Sequence, residues 1–107
     1  MNKIAEVISE GIKEGRWIDI VYNNKKGEET RFWFAITDIN FKEKKLKGDM
    51  YNIVKSFKSK SVKIRFEGII DANILFFSNY DVPLELIEKL EKDKGKYSSW
   101  LNFHRFD

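Results

Sequence analysis

Residues 14–36 read EGRWIDIVYNNKKGEETRFWFAI, and the interpretation of this stretch decides the fold. From Trp17 to Asn23 the residues alternate. Ile18, Ile20 and Tyr22 fall on one side, and Trp17, Asp19 and Val21 on the other. A period of two marks a strand. Asn24-Lys25-Lys26-Gly27 is a turn signal, with Gly27 able to take a positive φ. Glu28 to Thr37 returns as a second strand, and its centre, Phe32-Trp33-Phe34-Ala35-Ile36, is apolar on both sides. Such a strand is expected to be covered on both faces. Ile18, Ile20, Phe32, Phe34 and Ile36 are the expected interior. Trp33 is expected in the core, with a stacking platform as the alternative, and one of Trp17 and Trp33 is expected under the N-terminal helix.

Working outward, Ile4, Val7, Ile8 and Ile12 recur at helical spacing and predict a helix over Lys3 to Glu14, with Asn2 as N-cap and Gly15 as the stop. Downstream, Phe41 to Leu46 reads as strand, charged turn and strand, and Leu46, Gly48 and Met50 continue the alternation. Tyr51 to Phe57 has no clear period. Lys58-Ser59-Lys60-Ser61 reads as a polar loop. Val62, Ile64 and Phe66 mark an amphipathic strand, and Ile69 to Phe77 a short turn followed by a last strand. Asp81-Val82-Pro83 opens a second helix, with Asp81 as cap, through Leu86, Ile87 and Leu90 to about Gly95. An aromatic tail, Tyr97 to Asp107, follows.

The expected fold is therefore α+β, mainly β: a small curled sheet or barrel of about five strands with a helix at each end. Residues 1–80 form the barrel with its N-terminal helix. Residues 81–107 form the C-terminal helix and tail, leading into a longer parent chain.

A chain of 107 residues is one domain. It has no cysteine, which excludes disulfides and thiolate zinc sites, and its one histidine, His104, leaves a His-based metal site or triad without partners. Glycines 27, 48 and 68 are isolated, so no phosphate-cradling loop is present. These absences argue against an enzyme, a metal or a cofactor. There is no membrane-length apolar run and no secretory leader pattern, so the expected location is the cytoplasm, with no membrane partner. Net charge is +3, but residues 42–65 hold nine basic residues against Glu43 and Asp49, a net of +7. An anionic partner is sought there.

Several of these residues together resemble the WYL domain. They are the helix ending in Ile12 to Gly15, the strand Ile18-Asp19-Ile20-Val21-Tyr22, the Gly27 turn, Thr30-Arg31-Phe32-Trp33, and Ile64-Arg65-Phe66-Glu67-Gly68-Ile69. Arg16-Trp17, Phe32 to Ile36 and Phe76 to Pro83 further resemble the version found at the start of large bacterial helicase-type proteins. The resemblance covers about residues 4–83. It implies an Sm-like, SH3-type small barrel acting as a regulatory or accessory module that binds nucleic acid or a nucleotide-like ligand. The Trp-Tyr-Leu motif itself is absent, its place falling near Leu46 to Tyr51. Arg31 and Arg65 match the family's basic positions, and Gly68 stands where the family has a second arginine.

The functional expectation is a non-catalytic nucleic-acid-binding domain of a larger helicase- or nuclease-type protein. If their strands are neighbours, Arg31, Lys45, Lys47, Lys63 and Arg65 form one outer patch that meets phosphates, with Trp33 or Tyr51 stacking on a base. One alternative is a protein-interaction module docking on its parent enzyme through Trp100 to Phe106. The other is a sensor of a small anionic nucleotide-like ligand.

Overall fold

A computed structural model describes residues 3–92. The N-cap expected at Asn2, the end of the second helix near Gly95, the aromatic tail and His104 all lie outside the described residues. Helix α1 spans Lys3–Glu14, followed by strands β1 (Ile18–Asn23), β2 (Glu29–Asn40), β3 (Lys45–Asn52) and β4 (Phe57–Arg65). One turn of 3-10 helix (Phe66–Gly68) leads into β5 (Ile69–Ile74), and α2 (Leu84–Lys92) ends the described chain. The strands form one antiparallel sheet in the order β4-β3-β2-β1-β5. This is the α+β, mainly β curled sheet with two helices that the alternation predicts.

Helix α1 stops where Gly15 takes a φ of +65°. The Gly15 N–H donates to the Ile12 carbonyl and the Arg16 N–H to the Gly11 carbonyl, a Schellman closure. Ile8 and Ile12 go into the core, and Lys3 reaches Asp71 of β5 at 3.1 Å. The β1–β2 turn is organised by Asn24, whose Oδ1 accepts the N–H groups of Lys26 and Glu28. Helix α2 starts at Leu84, and the carbonyl of Pro83 just before it accepts the N–H groups of Leu86 and Ile87, so the helix opens two residues past the start that a cap at Asp81 predicts.

One core joins all these elements: Ile8, Ile12, Ile18, Ile20, Phe32, Phe34, Ile36, Ile39, Leu46, Ile64, Phe66, Ile69, Ala72 and Leu86. Each large side chain there contributes roughly 1.5–3 kcal/mol on burial. A bulge at Thr37 explains how Ile36 and Ile39, three apart, both point inward. The β2–β3 register shifts between Ile36 and Asp38, so the alternation restarts one residue later. Gly48 sits opposite Ile36 for a steric reason. A Cβ there would lie 2.2 Å from the Ala35 carbonyl oxygen.

Three expectations are corrected. Residues 58–61 are not a loop but part of β4. This strand is at the edge of the sheet and its first half is mostly exposed, so no apolar alternation announces it. A second bulge, between the Gly48↔Val62 and Met50↔Ser59 pairs, breaks its period further, with Ser61 at a φ of +56°. Strand β2 runs on to Asn40 instead of ending at Thr37, so Phe41 opens a turn and not a strand. Trp33 and Trp17 are half-buried and lie outside the core. Phe32 and Phe34 take the interior parity of β2, which leaves Trp33 on the opposite face.

Candidate functional site

The outer face of the sheet carries the residues that the core parity excludes. Asp19 of β1, Trp33 of β2, Tyr51 of β3 and Lys58 of β4 are successive register partners, so they form one row across the sheet. Side chains paired this way stand about 4.5–5.5 Å apart at Cβ. The Trp33 and Tyr51 rings lie 5.6 Å apart, tilted by 35°. Phe77, from the segment after β5, meets Trp33 edge-on at 5.7 Å. Between them is an open cavity of about 340 Å³ lined by Trp17, Trp33, Tyr51, Lys58, Phe77 and Ser78.

The wall that Phe77 builds is held by hydrogen bonds. Arg16 Nη1 donates to the carbonyls of Phe76 (2.6 Å) and Ser78 (2.9 Å). The Trp17 N–H donates to Ser78 Oγ at 3.0 Å, and the Ser78 hydroxyl donates to the Leu75 carbonyl at 2.6 Å. The Leu75 N–H donates back to the Trp17 carbonyl, and the Tyr80 N–H to the Gly15 carbonyl. Phe76 and Phe77 are nevertheless 70% and 75% exposed. Among the described residues, this turn therefore presents two large apolar rings to solvent. The buried Arg16 Nε has no hydrogen-bond partner among the described residues, and Glu14 Oε1 stands 3.8 Å away.

Tyr80 fastens this segment to the sheet. Its hydroxyl donates at 2.6 Å to the Ile36 carbonyl, beside the Thr37 bulge. Burial pushes the phenol well above its ordinary value, which keeps it a donor. Its ring also packs edge-on against Trp17. Lys89 of α2 reaches the same region, donating to Asp38 Oδ1 at 2.9 Å and to the Ile39 carbonyl at 2.7 Å.

A second cluster lies further along the same face. Lys47 pairs with Asp38 on one side and Lys63 on the other, and Lys45 with Asn40 and Arg65. Together with Glu43, residues Asp38, Asn40, Lys45, Lys47 and Lys63 line a recess of about 140 Å³. Lys45, Lys47, Lys58 and Lys63 make no salt bridge among the described residues. The two clusters are about 13 Å apart, four residues along β3 from Tyr51 to Lys47. Asp49 stands between them, its Oδ1 accepting the Ser61 N–H at 3.4 Å.

The two arginines expected in the patch are occupied elsewhere. Arg31 grips Asp19 in a two-pronged pair, Nε to Oδ1 at 3.0 Å and Nη2 to Oδ2 at 2.5 Å. It lies seven residues along β2 from Asp38, about 23 Å away at strand spacing. Hydrogen bonding to Asp19, with the attraction of its charge, raises Arg31 above its ordinary value. Arg65 folds inward over the Tyr22 ring at 5.6 Å and bonds Glu67 Oε1 and the Asn23 carbonyl, each at 2.9 Å. The structure thus brings together Trp33 with Tyr51, and Lys45 with Lys47 and Lys63. It does not bring all five cations into one patch.

Trp17, Lys58, Phe77 and Ser78 were missed by sequence reasoning. Lys58 lies on the exposed half of the edge strand β4, where the all-polar run Lys58 to Ser61 has no apolar alternation to mark it. Nothing local marks Phe77, because its place depends on hydrogen bonds to Arg16 and Trp17, some 60 residues earlier in the chain.

Fold and site together define a class: a small curled β-sheet with an aromatic pocket and a lysine recess on its outer face. No family model matches the chain, and neither does any curated protein or solved structure. Among the described residues there is no group of His, Cys, Asp and Glu suited to a metal ion, and no helix long and apolar enough to cross a membrane.

Proposed function

We propose that this chain is a non-catalytic domain that binds nucleic acid through the outer face of its sheet, as an accessory module of a larger helicase- or nuclease-type protein. The observation that carries the reading is the row Trp33–Tyr51–Lys58, an open aromatic pocket with a lysine at its wall that makes no salt bridge among the described residues. Aromatic platforms beside lysines are the general means of holding bases and phosphates together. The Lys45, Lys47 and Lys63 recess adds further phosphate contacts. The resemblance to WYL domains points in the same direction, and the helicase context rests on that resemblance alone.

The test is fluorescence anisotropy of the full chain with labelled oligonucleotides across a salt series. Binding that weakens steeply as salt rises supports the proposal. Salt-independent binding, or none at low salt, refutes it. The cavity volume also suits a small ligand, which favours one other reading, a sensor of an anionic nucleotide. Thermal stabilisation by mononucleotides without any by oligonucleotides would select that reading.

A further inference from the structure

We infer that the aromatic pocket takes one unstacked base of a single strand, with the adjoining phosphate at Lys58, and that Phe77 is the side chain that makes it selective against duplex. This rests on the nucleic-acid reading above and adds the form of the ligand and the order of its contacts.

The wall chemistry comes first. Four aromatic rings around one cavity could instead enclose a quaternary ammonium group. That occupant is disfavoured here, because Lys58 lines the cavity and, among the described residues, no carboxylate does. Asp19, the acidic residue opposite Trp33 in the register, is only 9% exposed and is neutralised by Arg31. Asp49, two residues along β3 from Tyr51, lies outside the lining, and Lys58 is the one charged side chain in it among the described residues, so the wall favours a flat ring that carries negative charge close by. A nucleobase with its phosphate has that form.

The rim then decides between single strand and duplex. Trp33 and Tyr51 rise from a sheet face, and Phe77 overhangs Trp33 from a neighbouring segment. Ring-on-ring contact requires a base with an open face. Bases inside a duplex have both faces covered by their neighbours, so one must leave the stack to enter. Phe77 stands out into solvent at the rim, where a paired strand would have to pass. Beyond Asp49, the Lys47 and Lys63 recess offers a second phosphate site on the same face.

Arg16 is a positioning residue for this pocket. It lies outside the cavity lining, but its two hydrogen bonds to Phe76 and Ser78 set the turn that carries Phe77.

The experiment compares the full chain and Phe77→Ala on a labelled single-stranded decamer, on the same sequence as a duplex, and on the decamer with one central abasic site. Phe77 is mostly exposed, so its truncation leaves the fold intact, and circular dichroism checks this. Single strand bound at least tenfold more tightly than duplex, with Phe77→Ala weakening single-strand binding roughly 5- to 150-fold, is the expected result. The abasic decamer should then bind more weakly to the native chain than the intact one, with a smaller loss for Phe77→Ala. Equal affinity for single strand and duplex, with Phe77→Ala silent but Lys47→Ala weakening both, would overturn this inference and leave nucleic-acid binding standing. No binding of any of the three DNAs would overturn the nucleic-acid reading itself, and the inference with it.

Discussion

The Tyr22 ring and the Arg65 residue form the seam that closes the curled sheet. Tyr22 Oη accepts the Arg65 backbone N–H at 3.1 Å, and the Arg65 guanidinium lies 5.6 Å over the ring. Tyr22 is near the end of β1 and Arg65 ends β4, two strands that are not neighbours in the sheet. The contact lets the chain pass from β4 through one helical turn into β5, on the far edge. Gly68 completes the seam, since a Cβ there would lie 2.5 Å from Tyr22 Cε1. Position 68 thus has no room for a side chain while the Tyr22 ring holds this place.

Tyr22→Phe removes the acceptor for the Arg65 N–H and should destabilise the fold by about 1–3 kcal/mol. Gly68→Ala forces the ring aside and should cost at least about 1–3 kcal/mol. Urea unfolding of the two variants checks both. Native stability in Gly68→Ala would mean that the Tyr22 ring is not fixed against the backbone.

The Arg31–Asp19 pair is a structural element, because the Asp19 side chain is only 11% exposed while Arg31 remains 66% exposed. Arg31→Met should lower the unfolding midpoint by leaving a nearly buried carboxylate without its partner, and Asp19→Asn in the same chain should restore part of the loss. A double-mutant cycle reads the coupling. Nucleic-acid binding should change little in the folded double variant Arg31→Met/Asp19→Asn, which removes both charges, in contrast to the lysine variants.

Lys47→Ala and Lys63→Ala should each weaken oligonucleotide binding across all sequences and flatten the salt dependence, lowering its slope by roughly 0.7–1. Both side chains lie on a well-paired part of the sheet with no salt bridge to lose among the described residues. Anisotropy titrations at several salt concentrations measure the slope. An unchanged slope in both would place the phosphates elsewhere.

Tyr80 sets an alkaline limit. Its phenol is raised above the ordinary value of 10.0 by burial. A neutral group favoured by folding holds its full contribution below about pH 10. Above that, the unfolded chain ionises first, so the contribution falls as pH climbs toward the raised folded value. Unfolding followed from pH 9 to pH 11 should therefore show stability dropping more steeply in the native chain than in Tyr80→Phe. Below pH 9 that variant should be about 1–2 kcal/mol less stable, having lost the bond to the Ile36 carbonyl.

Much of this molecule was legible before any tertiary contact was known. Ile8 and Ile12 recur at the spacing of a helix face and occupy the core. The Gly15 stop and the Asn24 to Gly27 turn lie where their local chemistry requires. Ile18, Ile20, Phe32, Phe34 and Ile36 are interior because period-two alternation is a property of the extended backbone itself. Such local rules divide the two faces of β2 but do not say what covers the face bearing Trp33.

Tertiary structure alone decided that. The Thr37 bulge changes which later residues of β2 point inward, and bulges are written in no local pattern. The register of β3 and β4 places Tyr51 and Lys58 in line with Trp33, and Arg16 draws Phe77 across from a segment distant in the chain. Residues 14–36 therefore determine a hairpin with one apolar and one mixed face. Whether the mixed face becomes core or pocket depends on long-range hydrogen bonds and strand register, because only these set which side chains meet.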